Sequence, residues 1–103
     1  MDVVRREFET GRGTVHGIQV TCPWFNVVWI AGAKGLVACA ALSPEACDRL
    51  GVACAIARSS PDNPIRTLDD LLGRDVRVAN AAAGALGIRE GMPVREALEH
   101  LAG

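Results

Sequence analysis

The sequence predicts an α+β domain, a two-layer α/β sandwich in which a mixed β-sheet carries helices on one face. Three observations lead there. Strand-like runs come first, and helices interleaved with single strands follow. The runs from Asn26 onward are apolar at odd and even positions alike, the mark of strands covered on both faces. A chain of 103 residues has enough surface to bury for one core and too little for two.

The elements follow in order. Val3 to Phe8 is a short strand ended by the turn Gly11-Arg12-Gly13. Thr14 to Cys22 alternates, with His16, Ile18, Val20 and Cys22 on one face, so it is a half-buried strand. Pro23 breaks it. NVVWIAG and GLVACAAL then pair as a hairpin about Ala33-Lys34, with Gly35 expected in the left-handed position. In that register Trp29 meets Ala38 and Val28 meets Cys39.

Ser43-Pro44 starts a helix, serine capping and proline at the first helical position, and Gly51 ends it. Ala46, Cys47 and Leu50 share one face of that helix, which makes Cys47 a core residue. Val52 to Arg58 is a strand covered on both sides, and Ser59 to Pro64 is a loop by its Ser, Pro, Asp and Asn content. Thr67 opens a short helix with a capping-box spacing to Asp70, and Gly73 closes it. Asp75 to Ala79 is a strand, and Asn80 caps an alanine-rich helix that stops at Gly87. Pro93 begins a last helix with Val94, Ala97, Leu98 and Leu101 at i, i+3, i+4, i+7, and Arg95 pairs with Glu99 on its wet face.

Composition narrows the function. Eleven basic residues are scattered among twelve acidic ones for a net charge of −1, without the concentrated basic patch that nucleic acid requires. No apolar run approaches the roughly 20 residues of a bilayer span, and MDVVRREFE lacks the apolar region of a secretory signal. A protein of the cytoplasm with neither a nucleic-acid nor a membrane partner is expected. The four cysteines form no CxxC pair and the two histidines lie far apart, so neither a metal site nor a cofactor is implied and reduced thiols are the default. Half of the residues are apolar, which is high for so small a domain. Part of that surface is expected to be buried against another copy of the chain.

Phosphate-binding motifs fail, since Lys34 sits inside a tight turn, and there is no G-x-S-x-G to nominate a serine nucleophile. His16 reads as a structural or interface histidine, and His100 as a partner for the dipole of the last helix. The chemistry that remains lies at Asn26, Lys34 and Cys39. Lys34 is the only lysine among the eleven basic residues. A cysteine beside a cation can be a thiolate, and a desolvated lysine can lose its proton, which an arginine cannot. Asn26 lies two residues from Val28 on the face shared with Cys39, within cross-strand diagonal reach of about 7 Å. Each has a plain structural reading as well: a solvated turn lysine, a small core thiol, and an asparagine that tethers the strand start. Arg58, at a strand end before the Ser59–Pro64 loop, could hold a carboxylate or phosphate, or serve as an interface ion pair.

The order PWFNVVWIAGAKGLVACAAL, then a Gly-terminated helix and ACAIAR, then TLDDLLG, then ALGIREGMPVREAL resembles the YunC family, also called the DUF1805 domain. The resemblance runs from about Val15 to the C-terminus. It implies a small two-layer α/β fold whose N-terminal β region forms a tetramer, and it implies no reaction. Two features depart from the family pattern: Ser59 to Pro64 replaces a short glycine-containing turn, and Cys39-Ala40 stands where Cys-Gly is usual. Residues 1–103 are therefore expected to form a single domain, with 1–42 as the β region of self-association and 43–103 as an α/β region. The leading expectation is a homotetramer with a small-ligand site at a subunit junction formed by Asn26, Lys34, Cys39 and Arg58. The alternative is a small cytoplasmic enzyme using Cys39 or Lys34.

Overall fold

The computed structural model describes residues 1–103. Six strands, β1 (Asp2–Thr10), β2 (Gly13–Thr21), β3 (Asn26–Gly32), β4 (Gly35–Ala38), β5 (Ala53–Ala57) and β6 (Val76–Ala79), form one sheet. They lie side by side in chain order. Only β4 and β5 run parallel, joined through α1 (Pro44–Leu50), while every other neighbouring pair is antiparallel. Helices α2 (Leu68–Leu72), α3 (Ala81–Ala85) and α4 (Val94–Ala102) complete the chain. The mixed α+β architecture read from the sequence is present, and the hairpin register with Trp29 opposite Ala38 is the one expected.

Side-chain alternation divides the sheet into two faces. Val15, Val28, Ile30, Val37, Cys39, Ala53, Ala55 and Val76 point to the first, where Leu68, Leu71, Ala83, Val94, Leu98 and Leu101 from three helices close the main core. The buried stripe of α4 is the one its spacing predicts.

The second face carries a separate small cluster, Ala38, Cys54 and Ile56, with Trp29, Leu36, Leu42, Cys47 and Val78 against it. Helix α1 therefore crosses to the side opposite the other helices. The cause is local: α1 buries no residue fully, and all five residues of β5 are buried, so its Cys54 and Ile56 need a cover of their own. Cys47 is only half-buried beneath that helix, and Leu50, expected in the core, is 77% exposed. Beyond the reach of α1, the second face of β1 to β3 stays open.

The β3–β4 turn departs from expectation in an instructive way. Gly35 does not take a left-handed conformation, and no residue other than glycine has positive φ, so the Ala33-Lys34 turn is made without one. Glycine is required at Gly35 by proximity, since a Cβ there would fall on the carbonyl oxygen of Ala53 in the adjacent parallel strand. The same turn is held from the other side, where the Lys34 N–H donates to the Leu101 carbonyl at 2.9 Å. The expected Arg95–Glu99 pair is also replaced. Glu99 is half-buried and its Oε1 accepts the Gly11 N–H at 2.9 Å, which fastens the β1–β2 turn to α4.

Asn80 is a polar side chain in an apolar interior, 6% exposed. Its Oδ1 accepts from Ala83 N at 2.9 Å, as an N-cap, and from Cys54 N at 3.0 Å. Its Nδ2 donates to the Val52 carbonyl at 2.8 Å. One carboxamide thus caps α3 and pins the start of β5, and every buried polar atom in it has a partner.

Candidate functional site

In open sheets ligands favour the crevice outside the carboxyl ends of parallel strands, where successive connections leave toward opposite faces. The chain meets this condition once. After β4 it passes to α1 on the second face, and after β5 it passes through Ser59–Pro64 to α2 on the first. Between the two strand ends lies a cleft of about 290 Å³ lined by Phe25, Asn26, Cys39, Ala40, Ala41, Ser59, Ser60, Pro64 and Ile65.

Two of the sequence-predicted residues therefore share a wall. Asn26 sits at the start of β3, with no side-chain hydrogen bond inside the chain. Cys39 continues β4: its N–H donates to the Val28 carbonyl at 3.0 Å, and its Sγ accepts the Val28 N–H at 3.4 Å. It is 5% exposed and belongs to the main core. No histidine, lysine or carboxylate lines the cleft, so no group there can take the thiol proton. The cleft offers the Asn26 carboxamide, two serine hydroxyls and an apolar wall, a set suited to holding a molecule through hydrogen bonds.

Lys34 lies elsewhere. It is exposed at the turn, at the opposite end of β4 from Cys39. The two are five residue steps apart, about 16 Å along the strand at ~3.3 Å per residue. The juxtaposition of cation and thiol raised by their closeness in sequence is not made within one chain.

Arg58 is turned to partners of its own. Its Nε donates to Asp75 Oδ2 at 3.1 Å and its Nη2 lies 3.9 Å from Glu90 Oε2, while Ser59 and Ser60 take its place at the cleft. The Ser59–Pro64 loop is nonetheless ordered by an arginine that sequence reasoning passed over. The Arg74 guanidinium donates to the carbonyls of Arg58, Asn63 and Pro64 and to Asn63 Oδ1, at 2.8 to 3.2 Å. The inserted loop is thereby a fixed wall, clasped from behind. Nothing in the local pattern around Arg74 marks it, because its partners lie ten or more residues away.

His16 and His100 stand apart from the cleft. His16 is exposed on β2 with Nδ1 3.6 Å from Glu7 Oε1, and His100 sits beside Gly87. No group of three or more histidine, cysteine or acidic side chains converges, and no helix is long and apolar enough to cross a membrane.

The second face holds two neighbouring thiols. Burial pushes the Cys54 thiol up to about 12, and a hydrogen bond and charge repulsion from Cys47, then Asp48, act in the same direction. Cys54 is hence an inert packing residue at neutral pH. The unfolded chain loses this proton near pH 9 whereas the folded one keeps it, so stability is unaffected below pH 9 and declines from there toward pH 12. Urea midpoints are expected to fall above pH 9 with a slope contribution of at most about 1.4 kcal/mol per pH unit. The fall should be shallower in Cys54→Ala, and parallel curves for the two proteins would contradict it.

Comparison with known proteins agrees with this architecture. The crystal structure of a protein of unknown function, TA1206 from Thermoplasma acidophilum, superimposes with a TM-score of 0.86 over 98% of this chain and 94% of that one, at 23% identity, a likeness of fold. No curated protein matches. The sequence profile of a domain of unknown function, DUF1805, matches residues 38–101, from the end of β4 through α4, which takes in the cleft's Cys39, the Arg74 clasp and the Asn80 cap. The chain belongs to the DUF1805 family.

Proposed function

We propose that this protein is a cytoplasmic homotetramer that associates sheet to sheet through its N-terminal strands and holds a small molecule in the cleft between β4 and β5. The observation that carries the first part is the open second face. Val3, Ile18, Val20 and Val27 lie together there by strand register beyond α1, bordered by Trp29 and Leu36, which pack against the Ala38, Cys54 and Ile56 cluster. A sheet face this apolar gains by excluding water against a like face. Arg5 and Glu7 at its margin offer a twofold-related copy opposite charges in return.

A single charge in that patch is the direct test. Val20→Asp is expected to dissociate the assembly while the monomer stays folded, since Val20 is only half-buried in the isolated chain. Light scattering should read four chain masses for the natural protein and a smaller species for the variant. A natural protein that is monomeric at micromolar concentration would overturn the proposal. Val28 is no substitute probe, although both strand faces looked equivalent in sequence. It is wholly buried on the first face beneath the helices, so a charge there attacks the core.

The cleft rests on its switch-point position and on Asn26, Ser59 and Ser60. It favours binding over the enzyme reading, because Cys39 has no base beside it and Lys34 stands at the far end of β4.

A further inference from the structure

A second cleft, of about 440 Å³, opens on the other side of Asn26, between the β2–β3 turn and the start of α2. Its walls are Gln19 and Thr21 from β2, the turn residues Cys22 to Phe25, Asn26, and Arg66 with Thr67. The donors in it are arranged with their acceptor halves already used or absent. Gln19 Oε1 accepts the Leu68 N–H at 2.9 Å, which leaves both Nε2 hydrogens unpaired. Thr67 Oγ1 accepts from Asp70 N at 3.0 Å and keeps its own proton to give. The Asn26 carboxamide has no partner in the chain, and the Arg66 guanidinium forms no ion pair.

No carboxylate lines the cleft. The two nearby in sequence are occupied: Asp69 binds Arg6 at 2.9 Å, and Asp70 accepts the N–H groups of Arg66 and Thr67. Those bonds hold the Asp70 carboxyl below the usual carboxylate range. One fixed positive charge, several free donors and no competing anion define a place for a single negative charge.

The apolar part of the cleft is equally specific. Trp24 is 85% exposed and Phe25 54%, the two largest aromatic exposures in the chain, and both sit on the tip that overhangs Arg66. The tip is held in shape by the Cys22 N–H donating to the Phe25 carbonyl at 2.9 Å. Exposed aromatic rings on a closed turn are a ready surface for a flat apolar body.

We infer that this cleft binds a small organic monocarboxylate, the carboxylate held by the Arg66 guanidinium with the amides of Gln19 and Asn26, and the hydrocarbon or aromatic body laid against Trp24 and Phe25. A single guanidinium matches the charge and the fork geometry of a carboxylate, whereas a phosphate dianion would leave charge uncompensated. This cleft adjoins the Cys39 cleft and shares Phe25 and Asn26 with it, but the inference rests on Arg66, Gln19 and Trp24, none of which lines the other cleft.

Sodium benzoate is the probe, with benzamide as its neutral counterpart and inorganic phosphate as the competing anion. The readout is the nuclear magnetic resonance of the two indole N–H signals and the Gln and Asn side-chain amides, with Trp24 assigned by Trp24→Phe. Benzoate is expected to shift Trp24 and Gln19 saturably and leave Trp29 unmoved. Its Kd should rise at least tenfold in Arg66→Gln, and benzamide should bind at least tenfold more weakly than benzoate. Equal binding of benzoate and benzamide, equal binding in Arg66→Gln, or phosphate binding as well as benzoate would each overturn the inference. Benzoate shifts confined to the backbone amides of Ala40, Ser59 and Ser60, recorded in the same spectra, would overturn it too, while supporting the cleft between β4 and β5.

Discussion

Gly35→Ala is expected to destabilise the protein by about 3 kcal/mol or more, enough to leave little folded chain, because the new methyl group has nowhere to go. It would fall on the Ala53 carbonyl oxygen and within 2.8 Å of the Ala53 Cβ. Ala53 belongs to the parallel pair β4–β5, with β6 beyond it, so relief requires moving two strands of the sheet. Gly84→Ala is the matched control. A Cβ there meets nothing within 4 Å and lies inside α3, so the exchange should stabilise by about 0.5–1 kcal/mol. Urea denaturation followed by circular dichroism reads both, and a Gly35→Ala protein as stable as the natural chain would mean that β4 and β5 are not packed this closely.

The second large effect is expected at Asn80. Asn80→Ala removes a helix cap, worth about 1 kcal/mol, and strands the buried Cys54 N–H without an acceptor, at about 1–3 kcal/mol. A loss near 3 kcal/mol is the expected sum for a residue whose carboxamide makes three bonds at 2.8 to 3.0 Å. Asn80→Asp keeps an oxygen to accept the Ala83 and Cys54 N–H groups but turns a carboxylate oxygen toward the Val52 carbonyl, so it should recover part of the loss at neutral pH. If Asn80→Ala costs no more than an ordinary surface cap, the Cys54 and Val52 bonds contribute nothing, and the β5 start is held by packing alone.

Much of the architecture was legible in the chain because its signals are local. Serine before proline at Ser43-Pro44, the Thr67-to-Asp70 spacing and the asparagine before the alanine run each announce a helix start, and each cap is made as expected. The apolar run of β5 announced a strand buried on both sides. What misled was reading faces by one element at a time. The apolar stripe of α1 looked like a core stripe, yet it covers only a small cluster on the far side of the sheet, and Leu50 faces water. The Arg95–Glu99 spacing looked like an ion pair, yet Glu99 has a better partner in the backbone of a turn some ninety residues earlier.

The site divides along the same line. Asn26 and Cys39 could be placed together from hairpin register, since register is set by the turn length and the alternation of the strands. Lys34 could not be separated from Cys39 on paper without laying the four intervening residues out at strand length. Arg66, Gln19 and Trp24 carry no pattern at all, for they come from β2, a turn and the loop before α2, and meet only when α2 docks on the sheet.

The sequence by itself determined the element order, the caps, the central hairpin with its register, the absence of a concentrated basic patch, and membership of the DUF1805 family, because these depend on short-range sterics, periodicity and composition. Only the tertiary structure decided which face each helix covers, that Gly35 is demanded by a neighbouring strand, and which side chains from distant segments line a cleft. Those outcomes depend on contacts between residues far apart in the chain, where a buried polar group or a close backbone approach selects one arrangement and no local pattern records it.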